Sequence, residues 1–251
     1  MMRHSAAHVM AAAVCRLFPQ VKLDIGPSTD EGFYYDFDLE HRLAPEDFTA
    51  IEAEMKAIIK AGFPFVRKEV TREEAAAIFA AQPYKLERLA DIPVGETVSL
   101  YTCGDFTDLC RGPHVAKTSE IGAIKLMSVA GSYYRGDESK PMLQRLYGIA
   151  DVSQEAIDAA LVRIEEAKKR DHRKLGRELD LFSLSEDVGP GLAHWHPKGA
   201  RIRIAIEDFW RKEHFRAGYE MVFTPHVGRA KLWETSGHLN FYREEIGRAH
   251  V

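Results

Sequence analysis

Asp108-Leu109-Cys110-Arg111-Gly112-Pro113-His114 is the stretch on which the rest of the sequence turns, read together with His4-Ser5-Ala6-Ala7-His8 near the start of the chain. Cys110 and His114 stand four positions apart, and so do His4 and His8. One thiol and three imidazoles make up the inventory of a four-coordinate zinc site. They equally suit a metal-free hydrolytic pocket in which a neutral histidine takes a proton from water. A lone His-x-x-x-His on an amphipathic helix is commonly just two half-exposed side chains, because so short a match has a large false-positive rate. Two such pairs in one chain carry more weight. A helix over residues 3–18 puts His4 and His8 on one face with Cβ atoms about 5–6 Å apart. Ala6, Ala7, Ala11, Ala12 and Ala13 keep that helix slim enough for another segment to approach. A zinc protease is remote, since no Glu follows His4 to make His-Glu-x-x-His.

Outward from these motifs the periodicity alternates between helix and strand. Residues 3–18 have apolar positions at helical spacing and stop at Pro19. Phe33-Tyr34-Tyr35-Asp36-Phe37-Asp38, among the turn signals Gly26-Pro27 and Glu31-Gly32, reads as a strand of a hairpin. Pro45-Glu46-Asp47 opens a helix with the stripe Phe48, Ile51, Met55, Ile58 and Ile59, ending near Gly62. Residues 63–70 read as a strand, and Thr71-Arg72-Glu73-Glu74 is a capping box that predicts a helix over 72–81. Short strands are expected over 84–89, 97–101, 121–131 and 142–149. Without a regular βαβ rhythm, the class is α+β with an antiparallel sheet and packed helices.

Residues 153–177 lack Pro, and lack Gly before Gly176, so one long charged linker helix is expected there. The basic run Lys168-Lys169-Arg170-Asp171-His172-Arg173-Lys174 fits a solvated face, or a contact to a phosphate backbone. A helix over 199–217 and a strand over 219–224 follow. The expected organisation is a domain over 1–150, a linker helix over 151–178 and an incomplete α+β domain over 179–245. Residues 246–251 are read as an artificial tail and set aside.

The 251 residues and their 45% hydrophobic content suffice for a buried core. A formal charge of −4 argues against a protein that coats nucleic acid by bulk attraction. Three cysteines make no disulfide framework and fit a reducing compartment, so the cytoplasm is the expected location. No leader or apolar run of about 18 residues is seen, so neither secretion nor membrane insertion is expected.

Four segments in order, His4 to His8, Gly32-Phe33-Tyr34-Tyr35-Asp36, Asp108 to His114 and Gly131-Ser132-Tyr133-Tyr134-Arg135-Gly136-Asp137, closely resemble the editing domain of bacterial-type threonyl-tRNA synthetases. The likeness continues through Arg170-Asp171-His172-Arg173-Lys174-Leu175-Gly176, Asp180-Leu181-Phe182-Ser183, Trp195-His196-Pro197-Lys198-Gly199 and Trp233-Glu234-Thr235-Ser236-Gly237-His238. The later segments resemble the start of a class II catalytic domain, with residues 201–225 similar to motif 1, which in the family supports a homodimer.

The resemblance implies a threonine-tRNA ligase that joins threonine to its tRNA using ATP, Mg2+ and Zn2+, the ligands for all three falling outside this chain. The part present would hydrolyse mischarged seryl-tRNA(Thr) at the tRNA acceptor end. Threonine and serine differ by one methyl, which a binding site can discriminate by only about 1–3 kcal/mol, so a second, smaller sieve is needed. The residues implied are His4, His8, Lys85, Asp108, Cys110 and His114 for catalysis, with Tyr35 for substrate binding. The resemblance favours His4, with Lys85, for activating water. It leaves Cys110 to shape the pocket, to hydrogen-bond substrate, or to act as a thiolate of lowered pKa. Editing would need no cofactor, although His4, His8, Cys110 and His114 have the ligand set with which related alanyl-type domains hold zinc. Competing readings are a stand-alone deacylase acting in trans and a non-catalytic tRNA-binding or dimerisation module.

Overall fold

The alanine-rich opening folds as helix α1 (Met2–Leu17) in a computed structural model that describes residues 1–189 and 191–241. Alanine has the highest helix propensity and no side-chain entropy to lose. Here it also gives the helix almost no girth: Ala6, Ala7, Ala11 and Ala13 are all fully buried. Strands β1 (Lys22–Leu23) and β2 (Phe33–Asp38) form the expected hairpin. Helix α2 (Phe48–Ala61) follows a short 3-10 turn at Pro45–Asp47 and ends where Gly62 takes a left-handed φ of 68°. Strand β3 (Phe65–Val70) leads to α3 (Arg72–Ile78), whose start carries the reciprocal Thr71 and Glu74 cap. Next come α4 (Pro83–Asp91), β4 (Val98–Cys103), β5 (Phe106–Leu109), β6 (Ala123–Tyr133) and β7 (Met142–Asp151).

The strands make two antiparallel sheets, one ordered β1-β2-β7-β6 and the other β3-β4-β5. Phe33, Tyr35 and Phe37 alternate onto the buried face of β2 and share one core with α1 and with Ile51, Met55 and Ile58 of α2. The fold is therefore α+β with antiparallel sheets. The stretch 84–89, expected as a strand, is instead part of α4. Pro83 occupies the first helical turn, where its missing N–H costs nothing, and Tyr84, Lys85 and Leu89 turn inward together. Residues 106–109, not anticipated as a strand, pair with β4 as β5.

The chain divides into two compact units, residues 1–168 and 169–251. The expected single linker helix is two, α5 (Gln154–Lys169) and α6 (His172–Glu178). Asp171 breaks the run because its carboxylate accepts the Arg173 backbone N–H and caps a new helix start. In the second unit β8 (Phe182–Leu184) pairs with β9 (Ala193–Trp195), followed by α7 (Pro197–Arg216), α8 (Ala230–Thr235) and α9 (His238–Phe241). His196 is fastened between Asp180 and Ser183, with Nδ1 2.7 Å from Oδ1 and Nε2 2.9 Å from Oγ. The strand expected over 219–224 is irregular backbone, since no strand among the described residues supplies a ladder for it. Ile202, Ile206, Phe209 and Trp210 of α7 are exposed. Residues 242–251, which include the suspected tail, lie outside the described residues. No helix among the described residues is long and apolar enough to cross a membrane.

Candidate active site

Strand alternation and one glycine bring the two motifs together. On β5, Phe106 and Asp108 face inward while Thr107 and Leu109 do not. Beyond β5 the pairing extends one step, with the Cys110 amide donating to the Ser99 carbonyl at 3.1 Å and the Ser99 hydroxyl to the Cys110 carbonyl at 2.7 Å. The chain then reverses at Gly112, which has φ 76°. A Cβ there would lie 2.3 Å from the Tyr101 hydroxyl, so only glycine fits the turn. The reversal returns His114 to the side of Cys110, where its ring stacks on Phe65 at 4.7 Å.

All four candidate donors meet. One ligand atom from each of His4, His8, Cys110 and His114 falls within 4.8 Å of the others. Nε2 of His4 and Nε2 of His114 each stand 3.4 Å from the Cys110 Sγ, and the Gly112 amide donates to that sulfur at 3.2 Å. Behind this cluster lies an ionic layer. The Lys85 ammonium pairs with Asp108 Oδ1 and donates to the Tyr35 hydroxyl at 3.0 Å, while Tyr35 donates to Asp108 Oδ2 at 2.7 Å. His8 Nε2 is 3.7 Å from the same Oδ2. Lys85 and Asp108 are each only 2% exposed, whereas His4, Cys110 and His114 are half-buried. The layers thus differ in access: His4, Cys110 and His114 are partly exposed, and Lys85, Asp108 and Tyr35 are spent on one another beneath them. Tyr35, read from sequence as a substrate contact, belongs to the support.

Burial dominates the electrostatics. It pushes His8 down to about 4 against the pull of Asp108, and it lowers His4 and, far more, His114. All three imidazoles are therefore neutral near pH 7, able to accept a proton or ligate a metal. Burial also opposes ionisation of Asp108, but the Lys85 charge, with hydrogen bonds from Lys85 and Tyr35, more than offsets this and holds the carboxylate below its usual range. The Cys110 thiol is pushed up to about 11 by burial, which leaves a neutral pocket wall and hydrogen-bond partner rather than a thiolate.

The donor set fits zinc in composition, and separations of 3.4 Å match the edges of a tetrahedron with bonds of about 2.0–2.3 Å. Beside Cys110 opens a cavity of about 280 Å3 lined also by Arg88, Thr97, Ser99 and Arg111. It is near the lower end of the range for small-ligand sites. Two contributors were missed from sequence. Ser5 accepts the Val115 N–H at 3.1 Å and lies 3.0 Å from His114 Nδ1, and only its position between the two histidines hinted at this. Ser99, which holds the Cys110 backbone, carried no sequence signal.

Residues 98–147, which include Asp108, Cys110 and His114, match the family described as the threonyl and alanyl tRNA synthetase second additional domain. That stretch is thus similar to an accessory domain of aminoacyl-tRNA synthetases. Over 245 residues the chain is 56% identical to the threonine--tRNA ligase of Dehalococcoides mccartyi, covering 98% of this chain and 42% of that protein. It is 52% identical over 246 residues to the Borrelia hermsii enzyme, covering 97% and 42%. Against that of Nitratidesulfovibrio vulgaris the figures are 55% over 248 residues, covering 98% and 38%. Over nearly its whole length the chain is similar to threonine--tRNA ligases, and it spans about 40% of the length of these curated relatives.

Proposed function

We propose that the unit of residues 1–168 hydrolyses the ester joining serine to the terminal ribose of a mischarged tRNA for threonine. It serves a cytoplasmic, dimeric ligase that joins threonine to that tRNA with ATP. One observation carries this reading: three neutral imidazoles and a thiol, drawn from segments a hundred positions apart, bring their ligand atoms within 4.8 Å of one another over a buried ionic layer. Ester hydrolysis asks for an oriented water, a group to take its proton and a field that steadies the developing oxyanion. His4, half-buried beside the Cys110 sulfur, takes the proton. Lys85 lies behind His8 and biases the field toward negative charge, and its pairing with Asp108 limits it to that indirect part. Cys110 walls the pocket at serine size and so excludes the threonine methyl. Residues His4, His8, Cys110 and His114 would hold zinc if it binds, and the metal would then supply Lewis acidity at the carbonyl.

The test is ester loss from seryl- and threonyl-tRNA in the presence of the protein. The expected result is selective loss of serine, with His4→Ala slowing it by about 10²–10⁴-fold. A folded sample that hydrolyses neither ester would overturn the reading and leave a non-catalytic tRNA-binding module. Elemental analysis of the same sample decides the metal question. Activity is expected to persist in protein stripped by chelator, and near-stoichiometric zinc with loss of activity on chelation would defeat the metal-free chemistry.

A further inference from the structure

Ser5 sits between the two histidines of α1, fully buried, and its hydroxyl is in contact with three polar groups. The oxygen lies 3.2 Å from the Met1 carbonyl, 3.1 Å from the Val115 amide nitrogen and 3.0 Å from His114 Nδ1. A hydroxyl has one proton to donate and two lone pairs to offer. The Met1 carbonyl can only accept and the Val115 N–H can only donate, so only the His114 contact can run either way. If Ser5 donates to Met1, one lone pair takes the Val115 N–H and the other is left for a proton on His114 Nδ1. Every partner is then used. If Ser5 donates to Nδ1 instead, one lone pair of a buried hydroxyl has no donor, and the Met1 carbonyl keeps only the Ser5 backbone N–H at 3.0 Å. Burial favours the arrangement that pairs all three.

The consequence falls on the opposite edge of the ring. A neutral imidazole protonated at Nδ1 presents a bare Nε2, and His114 Nε2 is the nitrogen 3.4 Å from the Cys110 sulfur. The Nε2 of His4 stands 3.4 Å from the same sulfur.

We propose that Ser5 is a positioning residue that locks His114 in the Nδ1–H tautomer, so that its bare Nε2 is presented beside Cys110 and His4 as an acceptor for a donor such as the attacking water. The consequence for rate rests on the hydrolytic reading above; the tautomer does not.

The test separates the two. In 15N-labelled protein at neutral pH, long-range nitrogen–proton correlation of the histidine rings, with His114 assigned by its absence in His114→Gln, should show Nδ1 protonated and Nε2 bare. A proton on Nε2 overturns the proposal, and this needs no Ser5 variant to fold. Ser5→Ala should give a mixed or reversed tautomer and a kcat for seryl-tRNA lower by about 10–10²-fold, as expected when a base is wrongly presented, with KM nearly unchanged. A folded Ser5→Ala protein whose His114 keeps the Nδ1–H form also overturns it. Finding the Nδ1–H tautomer in a protein that hydrolyses no ester would support Ser5 while rejecting the hydrolytic function.

Discussion

Lys85→Met is expected to cost the first unit about 3–5 kcal/mol, the loss typical of removing one partner from a buried ion pair. The penalty comes less from the attraction lost than from what remains. Asp108, 2% exposed, would hold a negative charge with only the Tyr35 hydroxyl and neutral His8 beside it. Methionine matches the lysine stem in length and leaves little cavity, so the deficit reports charge and not packing. Two further results are expected. Adding Asp108→Asn to Lys85→Met should recover much of the loss, because a neutral pair no longer leaves a charge stranded. The Lys85→Met deficit should also shrink on acidification: without Lys85, burial raises the Asp108 pKa, and protonation then relieves the fold. Urea midpoints followed by amide exchange in α1 and β5 measure all of this. A Lys85→Met protein within about 0.5 kcal/mol of the parent would mean that Asp108 draws its stability from elsewhere.

The helices with strong local signals were legible in the sequence for direct physical reasons. The alanines of α1, the Thr71 and Glu74 cap of α3 and the stripe of α2 each express a helix locally, and the structure contains all three. The alternation of residues 33–38 likewise became β2. Where the reading failed, the deciding interaction lay outside the window. Tyr84 and Leu89 resemble a short strand until Pro83 is seen as a helix start and Lys85 is drawn inward by Asp108. The strand expected over 219–224 needs a ladder partner that periodicity cannot supply. At the candidate site, residue types and spacing showed which side chains to suspect. They did not show that Lys85, Asp108 and Tyr35 would form a layer beneath the pocket, because that depends on α4 and β5, elements read as a strand and as nothing. Ser5 escaped notice because its importance is a matter of one proton's direction, settled by three contacts from distant parts of the chain.

Acidification from pH 6.5 to 4 is expected to remove about 3 kcal/mol of stability from the first unit through His8 alone, provided chelator keeps metal off the cluster. His8 has a folded pKa of about 4 against 6.5 in the unfolded chain, because burial disfavours its charged form. Below pH 6.5 the unfolded chain binds a proton that the native protein refuses. Stability falls with pH through that window and levels off once the native His8 also protonates near 4. His114, lowered for the same reason, acts in the same direction. Asp108 adds its own loss further down: its folded pKa is depressed, so its contribution is full above the unfolded value near 4 and disappears as pH drops through the folded one. His8→Gln should flatten the upper part of the profile and leave the Asp108 part in place. A parent profile level between pH 6.5 and 4 would show that His8 is already charged, paired with Asp108. The point reaches beyond stability: the burial that makes the fold acid-sensitive also keeps these imidazoles uncharged at neutral pH, and only uncharged rings can offer Nε2 lone pairs to a water or a metal. A site built to tolerate acid, by exposing its histidines or pairing them with more carboxylates, would surrender the acceptors that the proposed hydrolysis needs.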